Sequence, residues 1–328
     1  MTIPRAKITG TGSALPARVL TNYDLEQIVE TSDDWIMSRT GIKERRIAAE
    51  GEYTSTFATR AAQRAVEMAG IDAVDLDLII CGTVTPDFPF PSTACIVQQN
   101  LGAIRAAAFD VSAACSGFLY GLSLAEKFIK TKAASHILVI GAEVLSRVVD
   151  WTDRNTCCLF GDGAGAVVVS AGTGPSGILS THIYSDGSHW ELLHQPGAGS
   201  RNPATQQLLD SGRIFIRMQG NEVFKLAVRA MEEAAHAALG ANGFMVADLD
   251  ILIPHQANRR IIDAIGKRLG LGEEKLFVNV QRYGNTSSAS IPIALDEANR
   301  AGLLERDALV LLDAFGGGLT WASVLMRW

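Results

Sequence analysis

Cysteine is scarce in this sequence, and its cysteines form no pattern. Cys81, Cys95, Cys115, Cys157 and Cys158 are an odd set of five, with no CxxC pair and no neighbouring histidine pair. That excludes a disulfide framework and the usual spacing of a zinc site, so no metal is expected. Long apolar runs are missing too. Nothing approaches the roughly 18 uninterrupted apolar residues of a membrane span, and the opening MTIPRAKITG lacks the apolar core of a secretory signal. The expectation is a cytoplasmic protein without a membrane partner. Positive charge is in deficit: 29 Lys and Arg face 35 Asp and Glu, a net charge of −6. General nucleic-acid binding is therefore excluded. The 31 glycines and 10 prolines follow no period, and 48% of residues are hydrophobic. Collagen-like and disordered classes fall away on those grounds.

What is present is a 328-residue chain, long enough for one large domain or two ordinary ones. Short apolar runs alternate with amphipathic stretches, the signature of an α/β fold. Strands are expected at Leu76–Cys81, Ala107–Val111, His136–Ile140, Leu249–Ile253, Lys275–Val280 and Ala308–Leu312. Between them, Phe57, Ala61, Ala65 and Met68 make one apolar helical stripe, and Phe224, Val228, Met231, Ala235 and Ala238 make another.

These elements recur at a nearly constant offset. LDLII begins at Leu76 and LDILI at Leu249, 173 residues later. The two helical stripes run out at Gly70 and Gly240, 170 apart, and Phe109 and Phe277 are 168 apart. Val139 pairs with Val310 and Ile8 with Leu179, each 171 apart. Five matches in the same order indicate a duplication, with halves at 1–172 and 173–328. The glycine-rich FGDGAG at Phe160 and FGGGLT at Phe315 are only 155 apart, so the first half has additional residues near Arg147–Leu159. Long insertions at about 16–50 and 187–217 are candidate lids or binding loops.

Candidate chemistry sits at strand ends. In AFDVSAACSGF a strand gives way to a small-residue turn and a helix near Cys115. A thiol at a helix N-terminus faces free N–H groups and the positive end of the macrodipole, which favours its thiolate. In the second half YGNTSSAS places Asn285 at the corresponding turn, 170 residues on, and PHQANRRI delivers His255 just past a buried strand. Ligands of α/β proteins collect at such strand ends. The glycines of AFGGGLTW allow a backbone N–H to approach a substrate, which with that of Cys115 forms a candidate oxyanion hole. GDGAG is followed by the strand-like VVVS and GTGSAL is incomplete, so nucleotide binding is rejected.

DVSAACSGF, PHQANRRI, YGNTSSAS and AFGGGLTW, with GTGSALP, DDWIMSRTGIKERR and FPFPSTA, resemble the condensing enzymes of the thiolase superfamily. The likeness is greatest to the β-ketoacyl-[acyl-carrier-protein] synthases III and runs from GTGSALP to the last residue. It implies the thiolase fold, with duplicated βαβαβαββ halves in five αβαβα layers, and a homodimer. It implies decarboxylative condensation of a short acyl-CoA primer, typically acetyl-CoA, with malonyl-acyl carrier protein, and no cofactor beyond the CoA thioester. By the same likeness Cys115 accepts the acyl group, while His255 and Asn285 bind the malonyl thioester carbonyl. The N–H groups of Cys115 and Gly317 form the oxyanion hole, and Trp35, Arg39 and Arg154 hold CoA. Phe90 is an aromatic beside the nucleophile, and Arg260, Lys267 and Gln256 contact the carrier protein. Arg260 and Lys267 lie seven residues apart, on one helix face, and with Arg259 and Arg268 form a basic patch suited to an acidic carrier.

Within the superfamily, the last cysteine is Cys158 and no histidine follows His255. That sets the chain apart from thiolases with a late second cysteine and from elongating synthases with two histidines. A polyketide- or quinolone-type synthase is the runner-up. The intact Cys–His–Asn set speaks against a non-catalytic partner subunit.

Overall fold

The computed structural model describes residues 4–328. The apolar runs become the strands Leu78–Gly82, Ala107–Val111, His136–Glu143, Ile251–Pro254 and Leu309–Gly316. Of these, Leu78–Gly82, His136–Glu143 and Leu309–Gly316 lie inside their sheets, where aliphatic residues bury both faces. Gly70, at φ 66°, stops the helix Thr54–Ala69 in the left-handed conformation glycine adopts without penalty.

One expected strand does not form. Lys275–Val280 contributes a single bridge between Leu276 and Leu252, followed by a short helix, Val280–Tyr283. The reason is the buried side chain of Gln256. Its oxygen accepts from the N–H groups of Asn279 and Val280, and its amide donates to the carbonyls of Phe277 and Pro254. A side chain has taken over the bonds a ladder would need.

The duplication is visible in the sheets. The five-stranded sheet runs in the order Arg5–Ala14, Gly163–Gly172, His136–Glu143, Leu78–Gly82, Ala107–Val111. In the second sheet, Gly177–Ser185, Thr320–Arg327, Leu309–Gly316 and Ile251–Pro254 repeat that order, and the Leu276 bridge stands where the fifth strand belongs. Both outer strands carry a register shift at the same place, between Ile8 and Gly10 and between Ile178 and Ser180. Leu78 pairs with Ile137 as Ile251 pairs with Val310, so the central offset is 173. Gly141 pairs with Gly165 as Ala314 pairs with Ala322, so the last strand is offset by 157. The first half therefore carries additional chain between these two strands, as its sequence indicates.

Five layers follow from the cores. Phe118, Leu122 and Ile129 of helix Gly117–Lys130 and Ile291 and Leu295 of helix Ser290–Arg300 pack between the two sheets. Helices Thr54–Ala69 and Thr93–Leu101 cover the outer face of the first sheet, and Gly220–Gly240 and Arg259–Leu269 that of the second. One continuous core thus joins the halves across the middle layer. The approach there is close. A Cβ on Gly141 would lie 2.1 Å from the carbonyl oxygen of Ser288, so only glycine fits beneath that turn.

Candidate active site

The strand Ala107–Val111 ends in a tight turn, Ala114–Ser116, from which helix Gly117–Lys130 starts. Ala114 is held at φ 45°, a left-handed conformation unusual for alanine. The second half repeats this at Ser287, φ 48°, which opens the turn Ser287–Ala289 ahead of helix Ser290–Arg300. The sheet offset of 173 makes Ser288 the counterpart of Cys115. Asn285 therefore lies three residues ahead of the expected place, at the position of Ser112. It reaches the site because its backbone is stitched to the neighbouring segment: its N–H donates to Leu159 O (2.8 Å) and its carbonyl accepts from Gly161 N–H (3.0 Å).

Cys115 is 7% exposed, and burial pushes its thiol up to about 12. A hydrogen bond from Ser287 acts in the opposite direction, less strongly. Burial thus works against the thiolate that a helix N-terminus favours. Gly316 presses on this residue: a Cβ there would lie 2.6 Å from Cys115 N.

His255 follows the strand Ile251–Pro254, and its N–H donates to Asp313 O at 2.7 Å. Its ring is 3% exposed, and burial lowers its pKa to about 3, so it is neutral at pH 7. Nδ1 lies 2.6 Å from Ser290 Oγ, which also accepts the N–H of Gln256 (3.3 Å). Where the Ser290 hydroxyl donates to Nδ1, the ring carries its proton on Nε2, the tautomer that turns a donor toward the cavity. Asn285 is oriented by the same reasoning: its Oδ1 accepts the Ser287 N–H at 2.8 Å, which leaves the Nδ2 donors free.

These groups meet in one cavity. Cys115, His255, Asn285, Phe315 and Gly316 line its inner part, and Trp35, Arg39 and Arg260 its mouth. Two cations stack on the Trp35 indole, Arg39 at 4.5 Å and Arg154 at 5.0 Å from the ring centroid. Gly317 and Cys115 line a second, mainly apolar cavity with Leu145, Val148, Phe160 and Ile216. The long insertions and the segment before Phe160 therefore build the walls around Cys115.

Other expected residues lie elsewhere. Lys267 is exposed on helix Arg259–Leu269, in the groove beside Phe224, on which the Arg260 guanidinium stacks at 5.6 Å. Gln256 is 1% exposed with its amide fully engaged, so it offers a carrier protein no surface. Phe90 is 85% exposed and lines neither cavity at Cys115. The base of its loop is fastened where the Asp87 carboxylate accepts from Ser55 N–H and Oγ, which leaves the tip projecting.

Two residues carry no sequence signal but belong to the site. Ser290 is one of four small residues in SSAS, and only its contact with His255 distinguishes it. Glu143, fully buried, accepts from Thr83, from Val84 N–H and from Thr85 N–H and Oγ1, and hydrogen-bonds Ser287 as well. Burial pushes its carboxyl up to about 7 against the pull of these donors.

Comparison with known proteins identifies the family. Residues 109–187 match the model of the family described as 3-oxoacyl-[acyl-carrier-protein (ACP)] synthase III, and residues 239–328 that of its C-terminal part. The chain is 54% identical over 323 residues to the beta-ketoacyl-[acyl-carrier-protein] synthase III of Caldanaerobacter subterraneus subsp. tengcongensis, covering 98% of each. To the protein of that name from Natranaerobius thermophilus it is 55% identical over 326 residues, covering 98% of this chain and 99% of the other. The crystal structure of 3-oxoacyl-[acyl-carrier-protein] synthase III from Aquifex aeolicus superposes with a TM-score of 0.93 at 53% identity, covering 98% of this chain and all of that one. With the fold, the paired cavities and these similarities in agreement, the chain belongs to the β-ketoacyl-[acyl-carrier-protein] synthase III family.

Proposed function

We infer that Cys115, His255 and Asn285 carry the chemistry of this condensing enzyme, which performs the initiating condensation of fatty-acid synthesis. The observation that carries the assignment is the convergence of one thiol and two oriented neutral N–H donors on a single cavity. A short acyl-CoA enters past Trp35, Arg39 and Arg154. Cys115 Sγ bonds to the thioester carbon, the bond to CoA sulfur breaks, and the thiol proton departs with CoA. The thiolate is the attacking form, so with burial raising the pKa of Cys115 its proton leaves as the bond to carbon forms. The N–H groups of Cys115 and Gly317 face the developing oxyanion.

Malonyl-acyl carrier protein then occupies the vacated cavity. His255 Nε2–H and Asn285 Nδ2–H bind its thioester carbonyl, so loss of CO₂ leaves an enolate that these donors stabilise. The enolate carbon attacks the acyl group on Cys115. The carbon–carbon bond forms, the bond to Sγ breaks, and Sγ takes up a proton. Arg259 is engaged with Asp263 and Arg268 with Glu232, leaving Arg260 and Lys267 as outward charges for the acidic carrier.

Replacing Cys115 removes condensation but leaves the donors for decarboxylation. Cys115→Ala is expected to release CO₂ from malonyl-carrier protein, and Cys115→Ala/His255→Ala and Cys115→Ala/Asn285→Ala to lose most of that release. Equal CO₂ release from all three would remove His255 and Asn285 from this role.

A second copy of the chain completes the assembly in this reading. Ala107–Val111 is the free edge of the five-stranded sheet, and exposed Phe88, Phe90 and Ile104 stand on nearby loops. Phe90 then belongs beside the nucleophile of the partner. Sedimentation equilibrium at micromolar concentration tests this; a monomer there contradicts it.

A further inference from the structure

The apolar cavity beside Cys115, of about 370 Å³, has the volume and the apolar lining for an acyl group on that sulfur. Its sides are Leu145, Val148, Phe160 and Ile216, and Trp190 is also part of its lining. Trp190 faces two ways. With His194 and Gln195 it also lines a separate cavity of about 840 Å³, whose other walls include Arg201, Asn202 and Arg213. One indole and its neighbours thus stand between the apolar pocket at Cys115 and a wider cavity.

The indole is held in place from two sides. The His194 ring meets it edge-on, with centroids 5.1 Å apart at 74°, and the Arg201 guanidinium stacks over it at 5.1 Å. The His194 ring nitrogen Nδ1 lies 3.0 Å from Glu191 O. Trp190 is 39% exposed, so it is a partition set into the rim and not part of the packed core. A growing alkyl chain gains roughly fourfold in binding for each methylene buried in an apolar pocket. That gain stops where the chain meets a ring braced by two partners.

We propose that Trp190 is the end wall of the acyl pocket and sets the length of primer that Cys115 accepts. The proposal rests on Cys115 being the acyl acceptor. Short chains, straight or branched, fit in front of the indole. Removing it joins the two cavities, and a longer chain extends past Cys115 into the second one.

The test follows the rate of Cys115 acylation by intact-protein mass spectrometry, with acetyl-, butyryl-, hexanoyl-, octanoyl- and decanoyl-CoA. Wild type, Trp190→Gly, Trp190→Ala and Trp190→Phe are compared by the ratio of decanoyl to acetyl rates, which cancels a general loss of activity. The ratio should rise roughly tenfold or more in the glycine and alanine variants. In Trp190→Phe, which keeps a ring at the wall, it should stay near that of wild type. The same ratio in all four proteins overturns the proposal, as does a wild type that takes decanoyl as fast as acetyl. Failure of the underlying reading looks different: no acyl-CoA labels Cys115 in any protein, wild type included.

Discussion

At the scale of single residues, the proposed chemistry rests on uncharged donors. His255 would lose its function as a donor at Nε2 if its proton moved to Nδ1, and among the described residues Ser290 Oγ, at 2.6 Å, is the side chain hydrogen-bonded to Nδ1. Ser290→Ala is therefore expected to slow condensation by roughly one to two orders of magnitude while acetylation of Cys115 changes much less. Nitrogen NMR of labelled histidine should show the Nε2–H tautomer in wild type and a mixture in the variant. An unmixed Nε2–H signal in Ser290→Ala would show that something else fixes the ring. Cys115, His255 and Asn285, which line one cavity, each sit in a short distinctive motif of the sequence, although the strand expected ahead of Asn285 does not form. Ser290 was not legible there, since its role exists only through a contact with a residue 35 positions away. Gln256 misled for a related reason. A glutamine after a histidine in a polar turn reads as surface, yet here it replaces part of a missing strand ladder.

Elements hold the site together through one buried carboxyl. Glu143 ends the strand His136–Glu143 and ties the segment Thr83–Thr85 to the turn that carries Ser287. Its pKa rises from 4.5 to about 7 on folding. The folded state thus holds this proton more tightly than the unfolded chain. The stability it contributes is complete below pH 4.5 and is lost as pH rises through 7, by about 3 kcal/mol. Glu143→Gln should flatten the pH dependence of denaturant unfolding between these values. Identical slopes for the two proteins would contradict the assignment. The strands themselves were legible to within a few residues because their apolar runs are uninterrupted. The missing strand at Lys275–Val280 was not, because its apolar pattern is sound and only a side chain from another segment diverts its hydrogen bonds.

For the molecule as a whole, the duplication was readable from repeated spacing, whereas the exact correspondence was not. Helix ends suggest 170 and sheet register gives 173, and the difference moves the counterpart of Cys115 from Asn285 to Ser288. The halves share one core between the sheets, and one cavity is lined from both, by Cys115 of the first and His255 and Asn285 of the second. Net charge of −6 conceals the one surface where Arg260 and Lys267 point outward. Reversing that patch in Arg260→Glu/Lys267→Glu is expected to raise KM for malonyl-carrier protein roughly tenfold, and that for acetyl-CoA by much less. Unchanged KM at low salt would place the carrier elsewhere.

The central claim is that Cys115 holds the acyl group while His255 and Asn285 prepare the malonyl carbon that removes it. Its most direct test is intact-protein mass spectrometry with site mapping, first after acetyl-CoA and again after malonyl-carrier protein. The account expects a single acetyl group on Cys115 in wild type, His255→Ala and Asn285→Ala, and its discharge by malonyl-carrier protein in wild type alone. An acetyl group on another residue, or equal discharge in all three proteins, would contradict it.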